Sequence, residues 1–171
     1  MRKVEVVPYN PDWPSMYRAE ANILQTILGE VLFRIHHAGS TSVPGLHAKP
    51  IIDIVAEVRD LQKLDLLDDK MIEAGYTPKG EYGIPGRRYY FKGPRDLDLY
   101  HVHAFLAGDS EVARMLLFRD YLRAHSSEAL KYAKLKQELA IRFTWDTEKY
   151  TDSKETFIRE MDRKANDWAN L

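Results

Sequence analysis

The run IIDIVAEV, residues 51–58, restricts the fold more than any other stretch of the chain. A nearly continuous apolar strand is the kind buried on both faces, so it calls for packing on each side of a sheet. Its one early interruption is Asp53. Buried strands rarely carry a carboxylate without a partner or a task for it. The strand follows the loop GSTSVPGLHAKP, residues 39–50, whose two glycines and two prolines exclude a helix. Backbone N–H groups in a Gly39-Ser40 turn, with the Ser40, Thr41 and Ser42 hydroxyls beside them, can cradle a phosphate. An ordinary polar turn, held by an aspartate that accepts its hydrogen bonds, fits the same residues.

Around this strand the chain reads as strands and helices in alternation. KVEVV (3–7) alternates like a short first strand, and the spacing predicts a helix from about Pro14 to Leu28 ended by Gly29. VLFRIHHA (31–38) reads as a strand. Residues 60–74 read as one amphipathic helix stopped by Gly75. RRYYF (87–91), the turn KGPRD and LDLYHVHAF (97–105) carry a hairpin signature. From about Ser110 three helical patterns follow, and Asp152 with Glu155 resembles a capping box before the last. The expected class is α+β: a mixed sheet flanked by helices in 1–108, with a helical section in 109–171, all one domain.

Several functions are set aside by composition. Net charge is −1, so no long-range field for nucleic acid is expected and an anion site must be local. The absence of cysteine removes disulfides, thiolate nucleophiles and Cys-based zinc sites. The N-terminal MRKVEVVPYNPDW holds no long apolar run, so no membrane span is expected there and a cytoplasmic location is.

The chemistry-bearing residues gather in two segments. Asp53 is a normal ligand for Mg²⁺ or Mn²⁺. Position 55, where a second carboxylate on the same strand face would stand, is valine, and Glu57 lies about 13 Å along the strand. His101 and His103 share one strand face, roughly 7 Å apart. Two such imidazoles can bind a metal, polarise a phosphate or serve as acid and base, and a hydrogen-bonded pair fits equally. His36, His37 and His47 add imidazoles near the Gly-Ser loop. Lys49, Arg87 and Arg88 are candidate anion contacts; Arg87 and Arg88 alternate in direction, so at most one faces a given site. Lys131, Lys134 and Lys136 with Tyr132 read as a solvated helix face, and Trp145 and Trp168 as packing residues.

GSTSVPGLHAKPIIDI, preceded by VVPYNPDWP and followed by YHVHAF and FRDYLRAHSSEALKYAKLKQELA, closely resembles the GrpB family. Four separated segments match in order, from about Val4 to Ile158. The resemblance implies a nucleotidyltransferase-like fold. It also implies kinship with a domain fused to dephospho-CoA kinases in some bacteria, and so a possible partner enzyme. That superfamily's pattern is a Gly-Ser turn, an Asp-x-Asp pair and a third acid on a neighbouring strand. Gly39-Ser40 matches the turn and Asp53 the first acid; Val55 departs from the second, and His101 or His103 stands in the third strand. The implied site is then Asp53, His101 and His103 as catalytic groups or ligands of one divalent metal ion, with Gly39, Ser40, Thr41, Lys49, Arg87 and Arg88 around a phosphorylated or otherwise anionic small molecule. One Asp with two His favours a single transition-metal ion or none over a two-metal mechanism. The expected functions are nucleotidyl or phosphoryl transfer, or a non-catalytic binding or accessory module; a structural or chaperone-like role is the minor alternative.

Overall fold

The computed structural model describes residues 3–94 and 97–171. Arg95 and Asp96 of the KGPRD turn, and Met1 and Arg2, lie outside the described residues. A five-stranded mixed sheet has the order β1-β2-β5-β4-β3. The strands are β1 (Leu32–Ala38), β2 (Ile52–Val58), β3 (Tyr76–Pro78), β4 (Arg88–Lys92) and β5 (Tyr100–Leu106). β2 and β5 run parallel, and every other neighbouring pair is antiparallel. The class expected from the sequence, an α+β mixed sheet flanked by helices, is the class observed.

β2 shows why its sequence reads as it does. Ile52, Ile54, Ala56 and Val58 are fully buried on one face, against α1 (Trp13–Leu28), α2 (Leu61–Asp65) and α3 (Asp68–Glu73). Val55 is fully buried on the other face with Ala38 and Phe105, beneath Val112, Met115 and Leu116 of α4 (Ser110–Ala124). α5 (Ser126–Arg142), α6 (Thr147–Asp152) and α7 (Glu155–Ala169) complete that second layer. Leu122, Tyr132, Met161 and Ala165 join α4, α5 and α7, and they also cover Val43 and Leu46 of the Gly-Ser loop. Among the described residues no helix is long and apolar enough to cross a membrane.

Four expectations are corrected. KVEVV is not a strand: Val7 makes a single bridge to Ala48, while the Val4 N–H donates to the Thr144 carbonyl at 2.7 Å. Burial of Val4 against Leu139 and Tyr150 draws this segment onto the helical layer instead of the sheet edge. The helix expected over 60–74 divides at Leu66–Leu67. Asp60 caps the first half by accepting from the Lys63 N–H. Arg88 and the Tyr90 hydroxyl, both from β4, then hold Asp65 and Asp68 on either side of the break. The Asp152–Glu155 capping box is not formed; Lys154 occupies the N-cap of α7, without a side-chain cap. Trp145 is 58% exposed, so of the two tryptophans only Trp168 packs, edge-on to Tyr121 and His125. β3 and α6 are elements the sequence did not announce.

Candidate active site

The turn at Gly39 is built by its backbone. Gly39 has φ +67° and ψ −173°, a region essentially restricted to glycine. A short 3₁₀ turn, Ser40–Ser42, follows. The Ser42 and Val43 N–H groups donate back to the carbonyls of Gly39 and Ser40. Three side chains from elsewhere hold the turn in place. His37 Nε2 lies 2.9 Å from Thr41 Oγ1, and Arg123 donates twice to the Ser42 carbonyl, at 2.9 and 2.7 Å. Arg119 donates to the His37 carbonyl. His37 is buried and stacks on Tyr17; burial pushes its pKa down to about 4 despite the nearby Asp53, so it supports the turn as a neutral ring. Thr41, expected as a phosphate contact, has its hydroxyl engaged with His37.

Asp53 stands against this turn. The parallel register pairs Asp53 with His101 and Val55 with His103, so the carboxylate and both imidazoles share one face. His103 Nε2 is 3.2 Å from Asp53 Oδ1, and His101 Nδ1 is 3.7 Å from the same oxygen. His101 Nε2 reaches Asp98 Oδ2 at 3.0 Å. Burial pushes the Asp53 carboxyl up, but the His103 hydrogen bond and the charges of His103, His101 and Lys49 outweigh it and hold the group below its ordinary value. Gly39, Asp53, His101 and His103 are thus close neighbours, but only the first three line the adjoining cavity; His103 touches Asp53 without entering its wall.

That arrangement does not suit the metal chemistry of the superfamily pattern. Val55 is buried and apolar where a second acid would stand. Both histidines turn to one oxygen of Asp53, and His101 is further engaged by Asp98. Among the described residues no cluster of three or more His, Asp or Glu side chains is disposed to hold a metal ion. Positive charge comes instead from the helical layer.

A cavity of about 550 Å³ lies between this sheet face and the helices, lined by Gly39, Ser40, Thr41, Lys49, Asp53 and His101 on one side. Opposite stand Arg114, Tyr132, Lys136, Tyr150 and Lys154, with Tyr82 and Tyr89 also in the wall. Lys136, expected on a solvated face, is 2% exposed. It occupies the same inward stripe of α5 as Tyr132, Ala133 and Leu139, and its amine donates to the His47 carbonyl. Burial first, then Lys154 and Lys49, pull its pKa down to about 7. Lys154 is drawn down to about 8, by burial and then Lys49. The ammonium groups of Lys154 and Lys49 face the Tyr150 ring, 4.4 and 5.2 Å from its centre. The buried Tyr150 hydroxyl has no hydrogen-bond partner. Arg114 is held by Glu111 at 2.9 Å and Asp162 at 3.2 Å.

Neither expected arginine lines the cavity. Arg87 is buried; its guanidinium donates to the Glu81 and Tyr82 carbonyls and approaches His103 Nδ1 at 3.3 Å. Arg88 points to the opposite face and forms a two-pronged pair with Asp65, at 2.6 and 2.9 Å. Both partners of that pair are partly solvated, so Arg88→Ala is expected to cost no more than about 1 kcal/mol in urea denaturation. It should leave ligand affinity at the cavity unchanged by calorimetry. His36 pairs with Glu57 at 2.7 Å, further along the strand, and takes no part. The sequence signal that could have found Lys136 was its position: a lysine in the apolar stripe of a helix.

The comparisons with known proteins bear on the family and the fold. The family model described as GrpB protein matches residues 3–164. The UPF0157 protein YqkA of Bacillus subtilis is 42% identical over 98% of this chain, and the chain spans about half, 48%, of that relative. The glutamate-rich protein GrpB of Alkalihalophilus pseudofirmus is 31% identical over 93% of this chain and 94% of its own. A dephospho-CoA kinase of Mycolicibacterium paratuberculosis is 30% identical over 98% of this chain and 47% of its own. The crystal structure of GrpB from Enterococcus faecalis superposes with a TM-score of 0.94 at 38% identity, over 98% of this chain and all of that one. Cid1, solved in complex with its short product ApU, superposes with a TM-score of 0.50 at 11% identity. That match covers 72% of this chain and 39% of Cid1 and is a likeness of fold alone. With a family model spanning nearly its whole length and a GrpB structure of the same shape, the chain belongs to the GrpB family.

Proposed function

We propose that the protein binds a phosphorylated small molecule in this cavity, with the phosphate among Lys49, Lys136 and Lys154 and the remainder extending toward Asp53. One observation carries the reading: Lys49 and Lys154 face the ring of buried Tyr150, whose hydroxyl has no partner, and Lys136 stands in the same cavity wall, over Tyr132 and within reach of both their charges. Like charges repel, and two of the three amines have lowered pKa values. A dianion placed among them relieves that repulsion and accepts a hydrogen bond from Tyr150. In the relatives named dephospho-CoA kinase, a similar segment is part of a longer chain. That supports an accessory binding role beside such a kinase.

Group transfer is the second reading, favoured by the state of Asp53. It is a carboxylate kept ionised by His103 at the cavity wall, able to take the proton of an acceptor hydroxyl as that oxygen attacks the α-phosphorus of a nucleoside triphosphate, the α–β P–O bond breaks and pyrophosphate leaves. Calorimetric titration with inorganic pyrophosphate, ribose 5-phosphate and AMP tests the binding. Lys154→Met is expected to weaken each by roughly tenfold, the loss of one charge-assisted contact. Wild-type affinity in that variant, or no binding of any probe, contradicts the proposal. Release of pyrophosphate from a nucleoside triphosphate by the wild type, absent in Asp53→Asn, would establish transfer; binding without release leaves the module.

A further inference from the structure

The loop that joins β3 to β4 spends much to hold one exposed ring. Tyr82 is the one non-glycine residue with positive φ among the described residues, at +46°. It is 64% exposed, yet it is not loose. Its ring lies parallel to Tyr89, 8° between planes and 5.0 Å between centres. Its carbonyl accepts from Arg87 Nη2 at 2.6 Å, and the preceding Glu81 carbonyl accepts from Arg87 Nε at 3.1 Å. The Glu81 carboxylate in turn accepts from the Gly86 N–H at 2.8 Å. Beneath, Tyr89 meets the edges of His101 and His103, and the Arg87 guanidinium carbon lies 4.9 Å from its ring centre. A buried arginine and a strained backbone thus present an aromatic face to solvent at the wall of the cavity. Unused, such an arrangement only costs stability, since a non-glycine residue at positive φ is strained.

We propose that Tyr82, backed by Tyr89, is a shelf on which a flat heteroaromatic ring stacks when the phosphate joined to it lies among the lysines. The inference rests on the phosphate reading above and narrows it to ligands that carry both groups. Arg87 is a positioning residue: it fixes the shelf and touches His103 without lining the cavity. The ring is either a nucleobase or a phosphorylated pyridine, which share this chemistry.

Calorimetry with AMP, UMP and pyridoxine 5′-phosphate, against ribose 5-phosphate as the ligand without an aromatic ring, tests it. At least one ring-bearing probe is expected to bind about tenfold more tightly than ribose 5-phosphate, within the range of one stacking contact. Tyr82→Ala should remove that margin and leave ribose 5-phosphate within about twofold, while Tyr82→Phe keeps it. A preference for AMP or UMP marks a nucleobase, and one for pyridoxine 5′-phosphate marks a pyridine. The shelf is overturned if no ring-bearing probe exceeds ribose 5-phosphate, or if Tyr82→Ala weakens ribose 5-phosphate as much as the others. Failure of all four probes to bind the wild type overturns the phosphate reading, and the shelf with it.

Discussion

Gly39→Ala is expected to lose about 3 kcal/mol or more of folding stability and to abolish ligand binding at the cavity. Two effects add. The backbone at φ +67° and ψ −173° admits almost no residue but glycine, a strain of about 1–3 kcal/mol. The new methyl would also stand 2.3 Å from Asp53 Oδ2 and 2.9 Å from its Cγ, an overpacking that costs about 1–3 kcal/mol more. Neither side can give way easily. Asp53 sits in β2 between Ala38 and His101, with its other oxygen on His103. The turn is held by His37 and Arg123. Gly45→Ala is the control: its φ is +80°, but a methyl there meets nothing within 4 Å, so only backbone strain of about 1 kcal/mol is expected. Urea denaturation of both variants separates the contributions. Equal losses in the two would show that the approach of Asp53 to Gly39 has no energetic weight.

This close approach answers why an aspartate interrupts an apolar strand, and it was half legible. The sequence places a glycine turn before the strand and a carboxylate two residues into it. The strand period then puts His101 and His103 on one face. The parallel register that brings the two faces together is tertiary and has no local signal. Lys136 was misjudged for a related reason. Its neighbours Lys131 and Lys134 do point outward, and a lysine's aliphatic stem tolerates an inward position. Only the packing of α5 over the sheet shows that this inward stripe faces a cavity. Arg87 and Arg88 illustrate the limit of alternation. It correctly separated their directions, but could not show that one would be taken by loop carbonyls and the other by Asp65. Asp98 reads as part of the strand run 97–105, yet the strand begins only at Tyr100 and Asp98 is the second carboxylate at His101.

Lys136→Met is expected to move folding and binding in opposite directions. A lysine free in the unfolded chain titrates near 10.4, whereas the buried amine titrates near 7. Between those values the unfolded chain holds a proton that the folded one lacks, so stability rises with pH across the window from about 7 to 10. Below pH 7 the full cost of the buried charge is present. Methionine fills similar space without that cost, so the ligand-free variant should be more stable at pH 7 by on the order of 2 kcal/mol. Loss of the His47 hydrogen bond and of the contact with the Tyr132 ring keeps the gain below the full proton-linkage figure. The window from pH 7 to 10 should also flatten. Binding behaves the other way. A phosphate that has become a dianion above its second pKa of about 6 favours the ammonium form of Lys136. Wild-type affinity should then fall as pH rises from about 6.5 to 8.5, with proton uptake on binding at the upper end. The methionine variant should bind ribose 5-phosphate roughly thirtyfold more weakly and take up fewer protons, with the remainder left to Lys154, measured by calorimetry in buffers of different ionisation enthalpy. A variant that is less stable than the wild type at pH 7 and keeps its phosphate affinity would mean that Lys136 is a packing and hydrogen-bonding residue, and that the lysines do not act together on an anion.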